Sequence, residues 1–109
     1  PEARLYFYDA MGAQFEATDY AATGSGSPAV RGILYYENSW GEKPLQKLSE
    51  DQAVTTALRA LDTAAESDTA TGGVDRDAKI FPVIKIVSHD GITTLPEEKI
   101  AAVFKKSVA

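Results

Sequence analysis

The chain has 109 residues, 44% of them hydrophobic, enough for one domain or part of one with a packed but not a large core. Its net charge of -5 is carried by interspersed acids rather than a block, which argues against a nucleic-acid or anionic-membrane partner. Cysteine is absent, which excludes disulfides, thiol nucleophiles and Cys-based zinc sites, and no apolar run approaches membrane-spanning length.

The sequence opens without an initiator Met and almost directly in strand-like residues, as expected of a processed product or a piece of something longer. Leu5-Tyr6-Phe7-Tyr8 is aromatic-rich and reads as a strand. Asp9-Ala10-Met11-Gly12 supplies a turn, and residues 13–17 return with Phe15 on one face. An aromatic hairpin can stack nucleic-acid bases, but only Arg4 is a nearby cation, and a core hairpin is the better reading. Residues 20–23 form a short extended piece.

That piece leads into Thr23-Gly24-Ser25-Gly26-Ser27-Pro28. Small residues let the backbone turn sharply, and Pro28 suits the first position of a helix, where its missing N–H costs nothing. Ser27 is then the expected N-cap, its hydroxyl accepting from a free backbone N–H. Such a loop offers hydroxyls and unpaired donors beside the positive end of a helix dipole, which suits an anion or a developing oxyanion. By itself it reads as an ordinary cap after a tight turn, and it fits neither the P-loop nor the dinucleotide fingerprint.

From residue 28 to about 36, Val30, Ile33 and Leu34 make one helical stripe. Gly32 inside that helix costs about 1 kcal/mol relative to Ala, so a close backbone approach is expected there. Tyr35, Tyr36 and Trp40 cluster near its end, either capping the core or forming a subunit contact, and the sequence favours neither. Residues 38–44 read as a polar loop.

Ser49-Glu50-Asp51-Gln52 is a capping box with acids in the first turn, opening a helix that runs to about residue 66. Val54, Leu58, Leu61 and Ala65 make one stripe, and Ala53, Ala57, Ala60 and Ala64 a second beside it. Two adjacent apolar stripes predict burial on both sides, with the alanines letting a second layer approach closely. At its end, Ser67-Asp68-Thr69-Ala70-Thr71-Gly72-Gly73 reads as a helix stop in which Asp68 and Thr71 bond local backbone.

Residues 79–88 carry six apolar residues and read as a strand apolar on nearly both faces, with Pro82 at a bulge or near its beginning. His89-Asp90-Gly91 is a hairpin turn and residues 92–95 return. His89 is the only histidine; no ligand residues flank it, and it reads as solvent-exposed. A last helix starts near Pro96, with Ile100, Val103 and Phe104 as its stripe and Lys105 and Lys106 at its negative end.

Taken together, the Thr-Gly-Ser-Gly-Ser loop, two helices, Ser-Asp-Thr-Ala-Thr-Gly-Gly and a hairpin resemble, in that order, the C-terminal half of a proteasome β subunit of the bacterial, actinobacterial type. The resemblance covers nearly all of the chain, and its two motifs are specific as a pair. It implies an α+β fold of the N-terminal-nucleophile hydrolase type, a four-layer αββα sandwich, of which residues 1–109 are the C-terminal portion. It implies a subunit of seven-membered rings whose partners are other β subunits, α subunits and the missing N-terminal half of its own subunit. It implies unfolded polypeptides as substrates and calls for no cofactor; nucleic acid and membrane are not expected as partners, and the expected location is cytoplasmic.

The nucleophile implied is an N-terminal threonine uncovered by self-cleavage, whose hydroxyl attacks the peptide carbonyl aided by a lysine and by its own α-amine. The resemblance assigns supporting places near that amine to Ser25, Asp68 and Thr71, with Gly24 and Gly26 shaping the loop. The threonine, its aspartate and its lysine belong to the N-terminal half, which nothing here matches, and Pro1 has no hydroxyl. The 109 residues alone are therefore expected to be inactive. The related two-ring bacterial protease fits less well, because residues 68–73 follow the proteasome form. An inactive β-like subunit that only builds a ring is the alternative of a different class.

Overall fold

The structure, a computed structural model, describes residues 3–67 and 81–107. One carboxylate organises its first turn. Asp9 Oδ1 accepts the N–H groups of Met11 and Ala13, each at 2.9 Å, while Gly12 takes a φ of 86° that a side chain would resist. The turn joins β1 (Leu5–Tyr8) to β2 (Gln14–Ala17) in an antiparallel pair. Leu5 lies opposite Ala17 and Phe7 opposite Phe15, whose rings stack with centroids 5.2 Å apart. The hairpin forms as expected, but it is not in the core. Every β1 residue is exposed, and Phe15 with them, because none of the described elements covers either face.

Helix α1 spans Ser27–Trp40, a turn longer than the stripe at Val30, Ile33 and Leu34 indicates. The helix continues through Gly32 to Gly41, whose N–H donates to the Glu37 carbonyl at 3.0 Å and closes it. The expected close approach at Gly32 is absent: a Cβ there would meet nothing within 4 Å. Gly41 is crowded instead: a Cβ there would stand 2.5 Å from the Glu37 carbonyl oxygen. A 3₁₀ turn at Leu45–Lys47 then leads to α2, Glu50–Ser67. Its capping box is formed in both directions. The Gln52 N–H donates to Ser49 Oγ at 3.2 Å, and the Ser49 N–H donates to Gln52 Oε1 at 3.0 Å.

Among the described residues, α1 and the helix of residues 97–107 both pack on α2. On one flank Val54 and Leu58 join Leu95, Ile100 and Phe104 in the core, with Phe81, Ile84, Ile86 and Val103 around them. Phe81 meets Phe104 edge to face, with centroids 6.0 Å apart. On the alanine flank Ala60 and Ala64 are also buried, whereas Ala53 is exposed and Ala57 half-buried. The burial of Ala60 and Ala64 is thus complete within one chain and needs no second subunit.

The second hairpin is shorter than the apolar run from 79 to 88 predicts. Among the described residues of that run, only β3, Lys85–Ser88, is strand, paired antiparallel with β4, Gly91–Thr94. Pro82 has no N–H for a ladder, and pairing is taken up from Ile84, whose carbonyl accepts the Leu95 N–H at 2.9 Å. Ile84 and Ile86 turn toward the core and Val83 and Val87 away from it. Helix α3, Glu97–Ser107, begins with Glu97 and Glu98 and carries Lys105 and Lys106 in its last turn, the signs its dipole favours at each end.

Candidate functional site

Ser25 stands at the corner of a turn that ends in α1. The Ser27 N–H donates to the Gly24 carbonyl at 3.1 Å, closing four residues into a turn. Gly26, with φ -85° and ψ 0°, has the backbone of the third position of a type I turn and is itself the N-cap of α1. Gly24 enters at φ 96°, a conformation glycine adopts without strain. The turn leaves Ser25 exposed while Gly26 and Ser27 are buried.

Two expectations are corrected here. Ser27 is not the N-cap: the helix starts one residue earlier, no side-chain cap bond is made, and Pro28 falls second in the helix. The supply of free N–H groups is also smaller than expected. That of Ser27 is taken by Gly24, that of Val30 donates to the Gly26 carbonyl at 3.3 Å, and Pro28 has none. What the turn presents outward is the Ser25 hydroxyl, at the positive end of a 14-residue helix.

Asp68 and Thr71 lie outside the described residues, as do Gly72 and Gly73. In sequence Asp68 directly follows Ser67, the last residue of α2. His89 is exposed in the β3–β4 turn, in keeping with its isolation in the sequence. Among the described residues no cluster of His, Asp and Glu could hold a metal ion, and no helix is long and apolar enough to cross a membrane. An open cleft beside the α1–α2 connection, lined by Glu37, Lys43, Gln52 and Arg59 among others, does not include Ser25.

Sequence reasoning missed a set of side chains that holds the approach to Ser25. Arg31, Asn38 and Gln46 bond to residues 18–22, between β2 and the turn. Their partners lie nine to twenty-eight positions away, and no local pattern marks bonds of that span.

Residues 2–78 match the family model described as Proteasome, proteasome subunit, a range that contains Ser25, Asp68 and Thr71. Among curated proteins the chain is similar to "Proteasome subunit beta 1" of Streptomyces avermitilis, 41% identical over 96 residues, covering 88% of this chain and 32% of that protein. "Proteasome subunit beta" of Streptomyces griseus subsp. griseus is 35% identical over 98 residues, covering 90% of this chain and 33% of its own length. "Proteasome subunit beta 2" of Thermomonospora curvata is 42% identical over 100 residues, with the same coverage of 90% and 33%. The chain spans about a third of the length of these relatives.

Proposed function

The chain belongs to the proteasome subunit family, and from that premise we propose that it is part of a β subunit that hydrolyses peptide bonds inside a ring-shaped, self-compartmentalised protease of the cytoplasm. The nucleophile in this reading is an N-terminal threonine in a part of the subunit beyond these 109 residues. Its hydroxyl attacks the substrate carbonyl, and its own α-amine takes up the hydroxyl proton. The amine of the cleaved bond leaves with that proton, and water then hydrolyses the ester, freeing the carboxylic acid and restoring the hydroxyl. Ser25, Asp68 and Thr71 hold and tune the amine rather than react.

One observation supports treating the two motifs as one site. Each adjoins a helix of the packed α1–α2 pair, Ser25 two residues before α1 and Asp68 immediately after α2. The two helices are consecutive and packed on each other across the connection of residues 41–49, an arrangement in which the start of α1 and the end of α2 can lie at the same end of the pair. Partners in this reading are the remainder of the subunit and further proteasome subunits. The exposed Tyr36 and Trp40, four residues apart on α1, fit such a contact.

The test is covalent. In the complete, assembled subunit, mass spectrometry should find a mature N-terminus that begins with threonine and takes one equivalent of a peptide electrophile. An unprocessed N-terminus that takes no label would instead favour a ring-building subunit without catalysis.

A further inference from the structure

The chain between β2 and α1 has no ladder partner to hold it, yet it is tied down at two points. Gln46 Nε2 donates to Asp19 Oδ1 at 2.7 Å and to the Thr18 carbonyl at 3.2 Å. Asn38 Nδ2 donates to Asp19 Oδ2 at 3.4 Å, and Asn38 Oδ1 accepts the Leu45 N–H at 2.9 Å. Asp19 thus joins the exit of β2 to α1 and to the 3₁₀ turn beyond it. The second tie is the Arg31 guanidinium, which donates to the Ala22 carbonyl at 3.1 Å. Asp19 and Ala22 lie six and three residues before Ser25.

These bonds are poor devices for stability. They are exposed or only partly buried, and water competes for each of them. They are better suited to fixing position. Each helix or turn residue in the set points its donor at the incoming segment, and the Asp19 carboxylate accepts two of the bonds with charge assistance. The segment they hold ends in the turn at Gly24, with Ser25 at its corner.

We propose that Asp19, Asn38, Gln46 and Arg31 form a clamp that sets the place of Ser25 relative to the amine it supports. They are positioning residues; none of them touches the reacting atoms. The inference rests on the reading of Ser25 given above. Displacing a supporting group by about 1 Å costs up to about 10²-fold in rate, whereas substrate binding elsewhere is untouched.

The experiment uses assembled particles of the complete subunit and a fluorogenic peptide. Gln46→Glu keeps the size of the side chain but sets a second carboxylate against Asp19. It should lower kcat per assembled particle about 10-fold and leave KM within about 2-fold. The exchanged pair Asp19→Asn with Gln46→Glu restores a donor facing an acceptor at position 19, though not the bond to the Thr18 carbonyl, and should recover part of that loss. In a Ser25→Ala background, Gln46→Glu should add almost nothing, because the group it positions is gone. Arg31→Met, on the exposed side of α1, removes the second tie and should lower kcat in the same selective way if the Gln46 variant does not assemble. An unchanged kcat for both Gln46→Glu and Arg31→Met, with Ser25→Ala impaired, overturns the clamp alone. An equal loss with and without Ser25 also overturns it. A Ser25→Ala enzyme of undiminished kcat overturns the reading of Ser25 and the clamp with it.

Discussion

The carbonyl of Gly24 accepts the N–H of Ser27 across 3.1 Å, and that bond closes the turn that holds Ser25 at an exposed corner. It closes a turn whose first glycine sits at φ 96° and whose second caps α1, so the serine between them has little choice but to face outward. Gly24→Ala should therefore disturb the site more than its small size implies. A Cβ at Gly24 meets open space, so the cost is conformational, about 1–2 kcal/mol. Denaturant unfolding of the complete subunit should show that loss, with a fall in kcat beyond what lost particles explain. Unchanged stability and turnover would mean the turn readily re-forms around alanine.

Two other glycines separate conformational cost from crowding. Gly32 is exposed in the middle of α1 with no atom near its missing Cβ, so Gly32→Ala should stabilise the subunit by about 1 kcal/mol. Gly41→Ala must push a methyl against the Glu37 carbonyl, 2.5 Å away, and should destabilise by about 1–3 kcal/mol as the end of α1 gives way. Urea midpoints of the two variants should move in opposite directions. If Gly32→Ala instead splits the assembly while each subunit stays folded, a neighbouring chain approaches at that glycine.

The alanine flank of α2 gives a third test. Ala64 is fully buried within the chain, so Ala64→Glu should cost on the order of 3–5 kcal/mol by burying an unpaired charge, and should prevent folding rather than only loosen an assembly. Leu58→Ala, at a site with no exposure at all, should cost about 2–5 kcal/mol. Folded, disassembled subunits of Ala64→Glu would contradict the packing described.

The isolated 109 residues should self-associate. Tyr8, Val83, Val87 and Ile92 are all at least 62% exposed, and among the described residues both hairpins present unpaired strand edges. Sedimentation velocity should show concentration-dependent assemblies. A monomer with a cooperative thermal transition would contradict this.

What was legible in the sequence was whatever local chemistry controls. Ser49 and Gln52 announce their reciprocal cap, Asp9 to Gly12 their turn, and Ile100 and Phe104 the buried stripe of α3, because each signal is completed within a few residues. The misreadings share a cause of the opposite kind. The aromatics of β1 announce a strand but not what covers it, and the run of apolar residues around Pro82 conceals that pairing begins only at Ile84. Gly32 and Gly41 look alike in sequence; only the course of the backbone shows which of them is crowded. For the site, the Gly-Ser loop was visible as a turn before a helix, with its cap misassigned by one residue, since Ser27 and Gly26 both suit the position. The ties from Arg31, Asn38 and Gln46 connect residues far apart in the chain and could not be seen before it was folded.

The most direct test of the catalytic account is turnover of a fluorogenic peptide by assembled particles carrying Asp68→Asn or Ser25→Ala, with assembly measured separately. Asp68→Asn keeps the shape and removes the charge that would hold the amine, and should lower turnover by about 10²-fold, the low end for general acid–base groups. Ser25→Ala should cost somewhat less, because water can replace one hydroxyl. Thr71→Ser should be mild and Thr71→Ala worse, since only the second loses the hydroxyl. Near wild-type turnover for both Asp68→Asn and Ser25→Ala would reduce the two motifs to helix punctuation and contradict the account.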